Sequence, residues 1–274
     1  MMRSLWTAAS GMRAQQVNVD TIANNVANIN TIGYKSQQAS FKSLLYQNLQ
    51  STSTNNAGEN KPVAAEVGLG SRVAAITSTF TQGNLTHVEN PFSVALEGDG
   101  FFQIRTESGE LQYTRDGSFE ISPVANGNML CTSDGNPVLD AYGNQIILPS
   151  NRVATDLVVN QGGTLAFPDG TGNPAVITDA NGRPVKFGIY QFNNPAGLSK
   201  EGSNNYSVTV ASGAAVAENG NAAVKQTKTH QYYTEASNVD VANEMVNLAQ
   251  RAYEMNSKAI QASDEMMQQA NALR

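Results

Sequence analysis

Residues 5–29 read LWTAASGMRAQQVNVDTIANNVANI, and residues 245–273 read MVNLAQRAYEMNSKAIQASDEMMQQANAL. In the first stretch Leu5, Met12, Val19 and Val26 fall seven apart, with Ala8, Gln15, Ile22 and Ile29 three residues after each. In the second, Met245, Ala252, Ala259, Met266 and Leu273 repeat that spacing, with Leu248, Met255, Ala262 and Gln269 three after. A repeat of about 3.5 residues per turn keeps one stripe of a helix facing a partner. The two ends are therefore expected to be helices that pair as an axial, coiled-coil-like domain. Alanine and glutamine fill much of the seam, so at ~25 cal/mol per Å² the isolated pair should be marginal.

The first helix is expected from about Ser4 to Asn30, with Gly33 as its stop, because glycine accepts the left-handed conformation that ends many helices. Phe41 to Tyr46 reads as a helical continuation or a short second helix, and residues 50–62 as a polar linker without periodicity. The last helix is announced by Ser237-Asn238-Val239-Asp240, where a short polar side chain can cap the first turn, and should run to about Leu273.

Between the ends the punctuation changes. All nine prolines lie between Pro62 and Pro195, and no glycine follows Gly220. Turn pairs recur at Ser108-Gly109, Asp116-Gly117, Asn126-Gly127, Asp134-Gly135, Asp169-Gly170 and Asn181-Gly182. Short β-formers separate them, among them Phe101 to Ile104, Phe119 to Ile121, Gln145 to Leu148 and Phe187 to Tyr190. Short strands at regular spacing with glycine turns read as an antiparallel all-β domain, with a second lobe beginning near residue 150. The fold class is thus α+β: paired terminal helices around a central antiparallel β-domain.

Composition excludes several functions. Only 15% of residues are charged, the net charge is −6 and the mean hydropathy is −0.33, so uncharged polar residues must cover the surface. No cluster of Lys and Arg offers the footprint of a nucleic-acid binder. The single cysteine, Cys131, excludes an internal disulfide and reads as a small buried residue in a strand. No run approaches the ~20 apolar residues that span a bilayer, so no membrane insertion is expected. Arg13, Gln15 and Gln16 interrupt any apolar core near the N-terminus, so no cleaved signal peptide is expected.

Candidate chemistry is sparse. The two histidines, His87 and His230, lack metal-ligand neighbours in sequence. Gly98-Asp99-Gly100 lacks the lysine and the following helix of a phosphate loop and reads as a turn. Asp134, Asn136, Asp140 and Asn144 could surround calcium but miss the closing glutamate, which favours paired turns. No catalytic residue, cofactor site or metal site is assigned, and the chain is expected not to be an enzyme.

At Ala23-Asn24-Asn25-Val26-Ala27-Asn28, followed by Thr31-Ile32-Gly33-Tyr34-Lys35, the chain resembles the N-terminal motif of the bacterial flagellar rod and hook proteins. The motif positions are Asn24, Asn25, Asn28, Thr31, Gly33, Tyr34 and Lys35. Further similarities are Gln82-Gly83-Asn84-Leu85, Gly98 to Phe102, Tyr113 to Phe119, Glu235 to Asp240 and Gln250 to Ala259. The opening Ser4 to Met12 is most similar to distal rod members. Two residues that the family usually carries before Gln250 are missing, which turns the upstream part of the helix by ~200° and puts the register of Val239 to Leu248 at issue.

The resemblance implies a straight, stiff, homo-oligomeric helical tube that transmits motor torque and encloses an export channel. It implies other rod proteins, the hook protein, surrounding ring proteins and the flagellar type III export apparatus as partners. It also implies a location in the periplasm-spanning rod of the basal body, and no cofactor. The implied organisation is an N-terminal axial helix over 1–36, a bracing insertion over 37–75, a β-rich outer domain over 76–232 and a C-terminal axial helix over 233–274. Subunit packing would fall to Leu5, Met12, Val19, Ile22, Val26 and Ile29, and to Met245, Leu248, Ala252, Met255, Ala259, Met266 and Leu273. A proximal rod or hook subunit is the alternative within the family. A β-rich binding module or enzyme with helical arms is the alternative outside it.

Overall fold

A computed structural model of the chain describes residues 2–50, 65–125, 127–150, 152–168, 174–179, 181–221, 223–247, 250, 254 and 261. It divides into two compact units. One comprises Met1–Ala27, Gln37–Ser78 and Asp240–Arg274; the other comprises Asn28–Ser36 and Thr79–Val239.

The first unit is built on helix α1 (Met2–Ala27) and four strands: β1 (Gln37–Ser43), β2 (Tyr46–Gln50), β3 (Ala65–Gly68) and β4 (Ser71–Ser78). β1 pairs antiparallel with β4, and β2 with β3, so 37–50 and 65–78 form the two sides of one ribbon. The segment from Phe41 to Tyr46 is therefore strand, not helix. Its cross-strand partners, among them Phe41 with Val73, satisfy the backbone that a lone helical turn would have to satisfy within itself. α1 packs on β1 and β4.

The paired terminal helices are not found, and this overturns the α+β expectation. Among the described residues the chain is mostly β, with one long N-terminal helix, a short helical segment at 241–247 and helical residues at 250, 254 and 261. The physical reason lies in which face α1 buries. Ala14, Thr21 and Asn25 are buried, together with Ile22 at the near edge of the heptad seam, whereas Met12 of that seam is 53% exposed. That stripe lies roughly a quarter turn around the helix from the seam, and the ribbon covers it. A seven-residue spacing shows that a stripe exists; it does not say whether a helix or a sheet covers it.

Asp240 caps the segment at 241–247: its Oδ1 accepts the amides of Ala242 and Asn243 at 3.1 and 3.3 Å. The remainder of the expected last helix, including the two-residue gap before Gln250, falls almost wholly outside the described residues. So do most of the expected linker over 50–62 and the turn Asp169-Gly170.

The second unit carries sixteen strands in the described residues: β5 (Leu85–His87), β6 (Val94–Glu97), β7 (Phe101–Arg105), β8 (Leu111–Thr114), β9 (Glu120–Val124), β10 (Gly127–Cys131), β11 (Ile147–Leu148), β12 (Val158–Val159), β13 (Leu165–Pro168), β14 (Pro174–Val176), β15 (Ile189–Gln191), β16 (Ser199–Gly202), β17 (Asn205–Ser207), β18 (Val216–Ala217), β19 (Lys228–Gln231) and β20 (Tyr233–Glu235). A six-stranded sheet runs β16-β17-β8-β7-β15-β18, three-stranded sheets run β11-β10-β9 and β12-β13-β14, and β19 pairs with β6 and β20 with β5.

β7 is central because its alternate side chains enter different cores. Phe102 and Ile104 join Phe119, Leu130, Leu148, Leu165 and Phe187 in the main core. Phe101 joins Tyr113, Phe192, Leu198 and Tyr206 in a second cluster. The main core takes residues from both sides of position 150, so no separate lobe with its own core starts there. Asp140 Oδ1 accepts the amides of Tyr142 and Asn144, both at 2.8 Å, so this carboxylate organises a turn.

Candidate functional site: a buried ionic junction

The motif segments that are far apart in sequence meet in the second unit. Gly33 has φ +69, and a Cβ there would sit 2.9 Å from Arg115 C and 2.9 Å from Asp116 N. The left-handed conformation of Gly33 thus lets the backbone lie against Arg115-Asp116 rather than end the helix, which has already stopped at Ala27. Gly33 N donates to Glu235 O at 2.8 Å, and Asn204 Nδ2 donates to Ile32 O at 2.7 Å.

Two residues further on, Lys35 enters the interior with 1% of its surface exposed. Its Nζ donates to Glu235 Oε1 at 2.6 Å and to Thr81 O at 2.8 Å. Gly83 N donates to the same Oε1 at 2.8 Å, and Arg115 Nη1 reaches Oε2 at 3.4 Å. The Arg115 guanidinium lies over the Phe101 ring, 4.9 Å from its centroid. One carboxylate thus serves two buried cations and a backbone amide. Burial pulls the Lys35 ammonium below its usual pKa, against the attraction of Glu235. Burial lowers the Arg115 guanidinium as well, again opposed by Glu235.

Asn238 completes the junction. Its Oδ1 accepts Ser36 N at 2.7 Å, and its Nδ2 donates to Thr79 O, Thr81 O and Thr81 Oγ1 at 2.8, 3.1 and 2.9 Å. Ser36, Thr79 and Val239 are the last residues of the second unit where the chain continues into the other unit. One amide side chain therefore ties the segments that carry the chain across those boundaries.

Asn25 plays a similar part inside the first unit. Its side chain exchanges two hydrogen bonds with Gln37, Gln37 N to Oδ1 at 2.8 Å and Nδ2 to Gln37 O at 2.9 Å, and so pairs with the first residue of β1 as a strand would. Its Nδ2 also lies 2.9 Å from Glu244 Oε1.

The structure divides the sequence-derived site residues. Asn25, Gly33, Tyr34 and Lys35 are buried; Asn28 and Thr31 are half-buried and joined through Thr31 Oγ1 to Asn28 Oδ1 at 3.2 Å; Asn24 is on the surface. Of the packing residues, Ile22 is buried within its own unit, Val19, Val26 and Ile29 are half-buried, and Met12 and Met245 are exposed. Nothing is described of the Leu5 side chain, and Leu248, Ala252, Met255, Ala259, Met266 and Leu273 lie outside the described residues. Glu235, Arg115 and Asn238 were read as parts of motifs but not as site residues. The available signal was charge in a charge-poor chain, placed beside segments that read as strand.

The motif segments correspond to what comparisons with known proteins single out. Residues 5–35 match the flagella basal body rod protein family, residues 95–167 the flagellar hook protein FlgE/F/G D1 domain, and residues 230–273 the flagellar basal body rod FlgEFG protein C-terminal family. The flagellar basal-body rod protein FlgG of Borreliella burgdorferi is 42% identical over 282 residues, covering 100% of this chain and 99% of that protein. The chain belongs to the FlgG family of flagellar basal-body rod proteins. FlgG of Caulobacter vibrioides is 37% identical with full coverage of both chains, and FlgG of Bacillus subtilis is 34% identical over 98% of each. This FlgG-family chain is a structural subunit of the distal rod of the flagellar basal body. No helix among its described residues is long and apolar enough to cross a membrane.

The junction also makes a pH prediction. Burial, with the neighbouring Tyr34 second, pushes the Tyr206 phenol up from the ordinary 10.0 to about 12. A neutral phenol favoured by folding stabilises fully below pH 10.0, and that stability is lost as pH rises toward about 12. The loss is worth up to ~3 kcal/mol. Tyr206→Phe should therefore unfold less steeply with alkali than the parent across that window, as read by urea midpoints against pH.

Proposed function

We propose that this rod subunit assembles with copies of itself into a straight, stiff tube. In this reading the tube transmits motor torque, encloses an export channel and joins other rod proteins and the hook protein. The observation that carries the reading is the buried Lys35-Glu235-Arg115 junction, with Asn238 binding the segments that lead out of the second unit. Torque through such a subunit passes along those segments. A buried ion pair fixes geometry even where it adds little net stability. A proximal rod or hook role is less well supported, because FlgG relatives reach 42% identity over this whole chain, against 32% for the flagellar hook-basal body complex protein FlhP of Bacillus subtilis.

The residues over 76–232 form the outer part of the subunit in this reading, and 37–75 its bracing insertion. The exposed side chains of Trp6, Met12 and Met245 are suited to packing on neighbouring copies, and in this reading Leu5, Val19, Val26 and Ile29, and Leu248, Ala252, Met255, Ala259, Met266 and Leu273, share that role. Surrounding ring proteins and the flagellar export apparatus are its further contacts, and export proceeds without a cleaved signal peptide into the periplasm-spanning rod.

Electron microscopy of the purified protein at high concentration should show straight tubes with a central lumen; a monodisperse monomer at every concentration would refute assembly. Deleting Ser51 to Lys61 should leave tubes that bend. Deletion tubes as straight as the parent would remove the bracing role from the insertion.

A further inference from the structure

The ribbon of the first unit changes character at one point. Its inner part, β1 with β4, ends at Ser43 opposite Ser71, and its outer part, β2 with β3, begins at Tyr46 opposite Gly68. Two bonds bridge the gap, Leu44 N to Gly70 O at 2.8 Å and Leu69 N to Leu45 O at 3.3 Å. Gly70 has φ +111, a conformation essentially restricted to glycine.

This bend rests on one turn of α1. A Cβ on Gly70 would overlap Ser10 Oγ, lie 3.2 Å from Ser10 Cβ and come within 3.5 Å of Thr7 Cα. Ser10 Oγ donates to Thr7 O at 2.8 Å and accepts Ser71 N at 3.3 Å. The hydroxyl is thereby held by its own helix while it holds the ribbon. Beyond the bend Leu45 is 83% exposed, and Tyr46 and Leu69 are exposed as well. The outer ribbon thus carries an apolar surface whose direction depends on how the bend is set.

We propose that Ser10 and Gly70 are a positioning pair that aims the outer ribbon at a neighbouring copy. The inference rests on the bracing role proposed above. A close-packed glycine contact transmits displacement because neither backbone can yield without breaking helix or ladder hydrogen bonds. Crowding the contact from either side should therefore swing the outer ribbon while the rest of the subunit keeps its fold.

The test measures spin-label distances in the full chain, with labels at Arg13→Cys on α1 and Gln47→Cys on β2 in a Cys131→Ala background. Ser10→Leu fills the contact from the helix side without backbone strain and should shift the mean distance by several ångströms. Ser10→Ala, which keeps the space open, should leave the mean in place. Gly70→Ala should shift it as well, through both the contact with Ser10 and the strain of its own backbone. An unchanged distance in Ser10→Leu overturns the positioning role. Tubes of Ser10→Leu should bend under the electron microscope. A shifted distance with tubes still straight leaves the aiming role standing and overturns bracing, and bending with an unshifted distance does the reverse.

Discussion

Glu235→Gln should destabilise the unit of Asn28–Ser36 and Thr79–Val239 by about 3–5 kcal/mol, because it leaves Lys35 and Arg115 buried without the carboxylate that pairs with both. The amide still offers one oxygen to Lys35 Nζ and Gly83 N, now at 2.6 and 2.8 Å from the carboxylate. Its other end, however, presents N–H groups to Arg115 Nη1, where Oε2 stood at 3.4 Å. Water cannot relieve the mismatch, since the side chains are 1% exposed or less. Urea unfolding of the monomer measures the loss. Adding Lys35→Met to Glu235→Gln should cost less than the two single changes together, since one unanswered cation is then gone. A Glu235→Gln midpoint within ~0.5 kcal/mol of the parent, the range of ordinary surface changes, would show that the junction carries no stability. In a cell the variant should assemble few rods and swim poorly.

Gly33→Ala should cost about 2–4 kcal/mol, combining left-handed strain with an intruding Cβ and the loss of a buried hydrogen bond. The contacts at 2.9 Å are to the backbone of Arg115 and Asp116, so relief would require moving main chain, and with it the amide that donates to Glu235 O. Gly109 provides the comparison. Its φ is +85, yet a Cβ there would meet nothing within 4 Å. Gly109→Ala should therefore show only the backbone term, about 1 kcal/mol. Equal losses at the two positions, measured by the same urea titration, would mean that Gly33 is selected for its turn alone and that the packing on Arg115 is incidental.

How far these features could be read from sequence differs by feature. Strands such as Phe101 to Ile104 were legible because alternation and turn residues are local properties. Phe41 to Tyr46 reads as helix from sequence because a short run fits either period and the strand that pairs with it, around Ser71 to Val73, is distant in the chain. Gly33 was recognised as a left-handed position for the wrong reason: its conformation is visible in residue type, but the neighbour that requires it is not. Lys35 was picked out by the motif, whereas its partner Glu235 lies 200 residues further on. Nothing in a single sequence joins two charges across that distance.

By itself the sequence determined that the N-terminal stretch is helix-forming, where strands such as Phe101 to Ile104 lie, and to which family the motifs point. These follow from side-chain type and short-range spacing, which act through local sterics and capping. Tertiary structure alone decided what covers α1, how the ribbon bends at Gly70, and that Lys35, Arg115, Glu235 and Asn238 meet. Burial and charge pairing depend on which surfaces the folded chain brings together. The seven-residue spacing of α1 is compatible with a helix or a ribbon as its cover, and packing chose the ribbon.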